Sequence, residues 1–154
     1  DSVLAVWDGH HLRSATAALR AATDMQDDLS ASLLLDFAPK DLEPLGLGIG
    51  IEQGPALIGS IGPAHRRSHT LLGDTVAITL RIQEMTADIA QPILIGECAA
   101  RQLNDQDLES QGSFLLAGLK TPHVLFAPRS DSPRAGAYAD TQRVPDLKLV
   151  KGGK

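Results

Sequence analysis

The chain has 154 residues, 43% of them hydrophobic, 21% charged and only 3% aromatic, with a formal net charge of −5. That is the composition of one ordinary globular domain with an aliphatic core. It excludes a membrane anchor, since no apolar run approaches the roughly 18–20 residues that span a bilayer, and the negative charge offers no footprint for nucleic acid or an acidic membrane surface.

Residues 1–7 read as a buried strand, a short apolar run with β-branched residues and Trp7. Asp8-Gly9 breaks it, and Asp8 is a candidate cap for the helix that follows. Leu12, Ala15, Leu19 and Ala22 recur at three- and four-residue spacing, which predicts a helix over 10–25 that continues toward 29–35. Pro39 and Pro44 mark a connector. Residues 46–52 alternate glycine with aliphatics, a strand with one nearly bare face against which something packs closely. Gln53-Gly54-Pro55 is a turn, and residues 56–61 are expected to pair back on 46–52 as an antiparallel hairpin.

Residues 62–68 form a polar loop carrying Arg66 and Arg67. Gly73-Asp74 opens a helix over 75–86, with Val76, Leu80 and Met85 as its inward stripe and Ile82 beside them. A short strand is expected at 92–95 and a short helix at 97–103. Two closing strands are expected at 114–119 and 123–126, joined through Lys120-Thr121-Pro122. From residue 129 to 154, Pro, Ser, Asp, Arg and Gly dominate, so this stretch reads as a tail or linker. There are no internal repeats. The order of strands and helices gives a fold class of α/β or α+β with a mixed sheet, and the resemblance described below selects α+β, an α/β sandwich.

Three places offer chemistry. Asp1 heads a buried strand, where a carboxylate can hold a hard divalent metal, although local sequence alone favours an ordinary turn aspartate. The glycine-rich segment with Arg66 and Arg67 permits close backbone approach to phosphate, but its spacing fits neither a Walker loop nor a dinucleotide fingerprint, so a solvated basic tip explains it as well. Residues 70–81 form a turn feeding a helix on which Ala77 and Arg81 share a face. Arg81 suits an anion and also suits a surface salt bridge. His10, His11, His65, His69 and His123 have no zinc-type spacing. Cys98 cannot form an internal disulfide or a thiolate metal site alone, which favours a reducing, cytoplasmic compartment.

Taken together, these segments resemble the class III adenylate/guanylate cyclase catalytic domain. Asp1-Ser-Val-Leu-Ala-Val-Trp7 is similar to the strand that begins at a metal aspartate in that family, and the Ala-rich stretch after His11 to the helix that follows it. Gly48-Ile-Gly-Ile51 resembles the family's glycine-alternating strand. Gly59 to Val76, through Gly73-Asp74-Thr75-Val76, matches the central family motif nearly throughout. Arg81-Ile-Gln-Glu-Met-Thr86 and Pro92-Ile-Leu-Ile95 follow in the same order.

The resemblance covers residues 1–128 and implies a ferredoxin-like βαββαβ-type core with a mainly antiparallel sheet. It implies cyclisation of a nucleoside triphosphate, ATP in the first instance, to a 3′,5′-cyclic nucleotide and pyrophosphate. Two divalent ions, Mg²⁺ or Mn²⁺, would assist at the interface of a homodimer. Asp1 corresponds to the second metal aspartate, Thr70 to the base-reading position, Arg81 to the arginine that meets transition-state charge, and Lys120 to the triphosphate lysine. Two departures stand out. The family's ribose-orienting asparagine is Ala77 here, and the glycine after the lysine is Thr121. The first metal aspartate and the base-reading lysine would lie upstream of Asp1, so the domain's first strand and helices are expected outside this chain, with the membrane reached only through other parts of a longer protein. Alternatives are a cyclase-like regulatory or dimerising module without turnover, supported by Ala77, and a guanylate cyclase, against which Thr70 weighs.

Overall fold

The computed structural model describes residues 2–7, 14–34, 46–63, 65–104, 107–129 and 148–151. The elements in chain order are β1 (Val3–Val6), α1 (Ser14–Leu34), β2 (Ile49–Ile51), β3 (Leu57–Ile61), β4 (Ser68–Leu72), α2 (Asp74–Ile89), β5 (Ile93–Gly96), α3 (Glu97–Ala100), β6 (Leu108–Phe114), β7 (His123–Pro128) and β8 (Lys148–Lys151).

Four strands make the central sheet in the order β2-β5-β7-β6. β2 and β5 run parallel, while β7 is antiparallel to both β5 and β6. The sheet is therefore mixed, and its class is α+β as expected. Strand β5 is buried along its whole length because it has an apolar layer on each face. Ile93 and Ile95 point into one cluster with Ala22 of α1, Ile51, Ala99, Ala100 and Leu108. Leu94 points the other way, into a cluster with Ile82 of α2, Leu116, Leu125 and Ala127. The period-two alternation of a strand thus assigns α1 and α2 to opposite faces of the sheet.

The bare face of 46–52 has the cause expected of it. A Cβ on Gly50 would lie 2.6 Å from both the Gln83 nitrogen and the Thr79 carbonyl oxygen, which are backbone atoms of α2. Glycine here lets the helix settle directly on the strand.

Several expectations are corrected. Strand β2 does not form a hairpin with 56–61; it pairs in parallel with β5, and β3 pairs instead with β4, from Leu57 opposite Leu72 to Ile61 opposite Ser68. The strand expected at 114–119 lies earlier, at Leu108–Phe114, where polar residues alternate along an edge strand and hide its pattern. Leu80 is 45% exposed and does not belong to the inward stripe; Ile78, Ile82 and Met85 supply the packing. Within the stretch read as a tail or linker, Lys148–Lys151 forms a strand antiparallel to β1. The proposed Asp8 cap lies outside the described residues.

Candidate functional site: the β3–β4 arm and helix α2

The chain leaves the β3–β4 arm and enters α2 through Gly73, whose φ of 142° is a backbone state that glycine tolerates and other residues rarely adopt. No side chain caps α2. Asp74 stands in its first turn, where a carboxylate is favoured by the helix dipole. Thr75 fastens the start of the helix to the loop before the arm, its Oγ1 donating to the Pro55 carbonyl at 2.9 Å. Pro55, Ala56, Leu57, Leu72, Gly73 and Asp74 line a shallow cleft of about 310 Å³ at this junction.

Thr70 sits on β4 opposite Gly59 and is half-buried. It lies two residues before Leu72, so the two side chains share one face of the arm. Ala77 is exposed in the second turn of α2, its backbone N–H donating to the Gly73 carbonyl at 3.3 Å. Arg81 follows one turn later on the same side. Its Nη1 donates to both carboxylate oxygens of Glu84, at 2.8 and 2.7 Å. Lys120 is exposed on the connection between β6 and β7, immediately after Leu119. Leu119 packs against the cluster that contains Ile82, the residue after Arg81. One core cluster therefore anchors both segments. Asp1 lies outside the described residues.

Glu52 carries structural weight that its sequence position did not signal. It directly follows β2, and its Oε1 accepts the backbone N–H groups of Gln53 at 2.8 Å and Ala99 at 3.0 Å, tying the end of β2 to α3. Burial raises its pKa above the ordinary value; the backbone N–H groups of Gln53, Ala99 and Cys98, with the charge of His123, oppose that rise. A glutamate between an apolar strand and a Gln-Gly turn looks like a surface residue until α3 is placed over it.

Among the described residues no group of three or more His, Cys, Asp or Glu side chains is arranged to hold a metal ion. The described residues do not by themselves fit the pair of divalent ions that the resemblance implies. No helix among the described residues is long and apolar enough to cross a membrane.

Helix α2 is thus entered from a β arm, carries a solvent-reaching arginine two turns in, and lies on the face of a mixed sheet opposite α1. Residues 3–127 fit the family described as "Adenylate and Guanylate cyclase catalytic domain", and the chain belongs to that family. It is 31% identical over 107 residues to "Adenylate cyclase 1" of Rhizobium meliloti (strain 1021). That match covers 68% of this chain and 16% of the relative, so the chain spans about a sixth of that protein's length. Among solved structures, the adenylyl cyclase CyaB from P. aeruginosa superposes with a TM-score of 0.69 at 20% identity, covering 80% of this chain and 62% of the other. The guanylyl cyclase Cya2 superposes with a TM-score of 0.64 at 24% identity, covering 80% and 64%. The same fold thus occurs in proteins named for either nucleotide.

Proposed function

We propose that this chain is the catalytic domain of an adenylate cyclase, turning ATP into 3′,5′-cyclic AMP and pyrophosphate. The observation that carries the reading is Arg81, held on the exposed side of α2 in a domain of the cyclase family. In the reaction the ribose 3′-hydroxyl gives up its proton to water or the departing pyrophosphate, its oxygen bonds to the α-phosphorus, and the bond from that phosphorus to the pyrophosphate oxygen breaks. Negative charge builds on the phosphate oxygens, and a guanidinium pairs two such oxygens at once. Lys120 adds a point charge for the triphosphate, and Thr70 presents a hydroxyl to the base. Divalent metal enters the proposal through Asp1. One carboxylate does not hold a hard cation alone, so further oxygen ligands must come from other residues or from the nucleotide.

The reading includes a homodimer. Leu57, Ile58, Ile61 and Leu72 on the arm are each about half exposed or more, an apolar ribbon suited to a second copy. A specific observation favours a second reading. Ala77 offers only a methyl group where the family has a ribose-orienting asparagine, which suits a nucleotide-binding module without turnover.

The test is cyclic nucleotide formation by the full natural protein that contains this chain, given ATP or GTP with Mn²⁺. Cyclic AMP from the unaltered protein, lost in Arg81→Ala, supports the first reading. Product only after Ala77→Asn supports the second. Cyclic GMP alone overturns the choice of substrate.

A further inference from the structure

Asp74, Ala77, Arg81, Glu84 and Asp88 recur at spacings of three and four along α2, which lines them up on its outer side. Arg81 is the single cation of this helix and has three carboxylates along its stripe. It binds only one of them in a particular way. A single guanidinium nitrogen, Nη1, donates to both oxygens of Glu84. The guanidinium is a rigid planar fork, so a partner fixed at Nη1 fixes the direction of the whole group. Two edges of the guanidinium match two phosphate oxygens side by side, and Glu84 takes a corner of the Nη1–Nη2 edge and none of the Nε–Nη2 edge.

Stability gives little reason for this pair. The side chains are 43% and 54% exposed, and exposed pairs contribute almost nothing measurable. The cation also precedes the anion along the helix, the weaker orientation for such a pair. Glu84 competes for the Nη1–Nη2 edge and leaves the Nε–Nη2 edge to a phosphate.

We propose that Glu84 is a positioning residue for Arg81: it pins the guanidinium by Nη1 and turns the Nε–Nη2 edge toward a phosphate-bearing substrate. This inference rests on the cyclase reading of Arg81 and adds a residue that the resemblance did not single out. Glu84 touches no reacting atom; its effect passes through the aim of the arginine. Losing the pin is expected to cost turnover more than affinity, because Arg81 keeps its charge but not its direction.

The experiment compares Glu84→Gln, Glu84→Asp and Arg81→Ala in the full natural protein, with ATP and Mn²⁺. It also follows the ¹⁵Nε–H resonance of Arg81, alone and with inorganic tripolyphosphate. Glu84→Gln is expected to lower kcat about twofold, the scale on which an exposed ion pair can bias the direction of a side chain, while KM stays unchanged. The Arg81 Nε is expected to become mobile on the ps–ns scale and to respond less to tripolyphosphate. Glu84→Asp keeps the charge but draws the carboxylate back, and is expected to fall with Glu84→Gln. An unchanged kcat with unchanged Nε mobility in Glu84→Gln overturns the proposal, as does a lower KM with no loss of kcat, the mark of a competitor. Full turnover by Arg81→Ala sinks the reading of Arg81 itself. An inactive Arg81→Ala beside a fully active Glu84→Gln removes only Glu84. Where the unaltered protein gives no cyclic nucleotide, the cyclase reading fails, and the mobility and tripolyphosphate response of Arg81 still decide the role of Glu84.

Discussion

Strand β5 and the β3–β4 arm are built from the same residues and live in opposite surroundings. Ile95 is 0% exposed and Leu94 is 0% exposed, whereas Leu57 is 76% exposed and Ile58 53%. β5 has a strand on either side and a helix over each face. Among the described residues the arm is a two-stranded ribbon in which each strand pairs only with the other. Aliphatic side chains therefore mean different things in the two places. In β5 they hold the domain together; in the arm they leave apolar surface for something else to cover.

The sharpest way to break the comparison is Ile95→Ala. Removing a fully buried aliphatic group is expected to cost about 2–5 kcal/mol, read as a lower urea midpoint. Gly50→Ala attacks the same layer from the opposite direction. Its new Cβ meets α2 backbone that has little room to yield, and overpacking of this kind costs about 1–3 kcal/mol by the same measurement. Leu57→Ser and Ile61→Ser together should leave stability within about 1 kcal/mol and convert a dimer to monomer in sedimentation. Unchanged sedimentation of that variant, starting from a dimer, would place the second copy somewhere other than the arm.

Glu52 sharpens the comparison by pH. Burial holds its folded pKa above the ordinary 4.5, so the native protein keeps the proton to a higher pH than the unfolded chain does. Between those two pKa values the native state binds more protons, and stability falls as pH rises. Below both the group costs nothing, and above both the cost is complete. Glu52→Gln is expected to flatten this contribution, so that the difference in urea midpoint between variant and unaltered protein changes as pH climbs from about 4.5. A difference that stays constant with pH would show that Glu52 titrates alike in both states. The smallest effect belongs to Glu84→Gln, whose exposed pair with Arg81 is expected to change stability by less than about 0.5 kcal/mol. Measurable loss of stability there would make the pair a structural element.

Much of the architecture was legible because local pattern and final environment agree. The Ala-rich period of α1, the Gly73-Asp74 entry to α2 and the apolar run of β5 are signals that tertiary packing leaves intact. The partner of 46–52 was not legible. Proximity in sequence favours a hairpin with 56–61, but Gly50 lets α2 lie against β2 and brings β5 alongside it. Leu80 was misassigned for a related reason. A stripe drawn from an ideal helical period includes it, while the sheet touches α2 along Ile78, Ile82 and Met85. The candidate site divides in the same way. Arg81 and Ala77 share a helix face by spacing alone, yet the Glu84 contact at a single guanidinium nitrogen is visible only in three dimensions.

The amino-acid sequence alone settled the chemistry on offer and the class of fold: aliphatic strands, an Ala-rich helix, an arginine two turns into a glycine-led helix, and the order of motifs that marks the cyclase family. These follow from residue type and short-range spacing, which each segment carries by itself. Strand pairing, the exposure of Leu57 and Leu80, the raised pKa of Glu52 and the direction of the Arg81 guanidinium needed the folded chain. Each depends on which distant segment arrives as neighbour, and a neighbour's distance and desolvation are properties of the packed molecule.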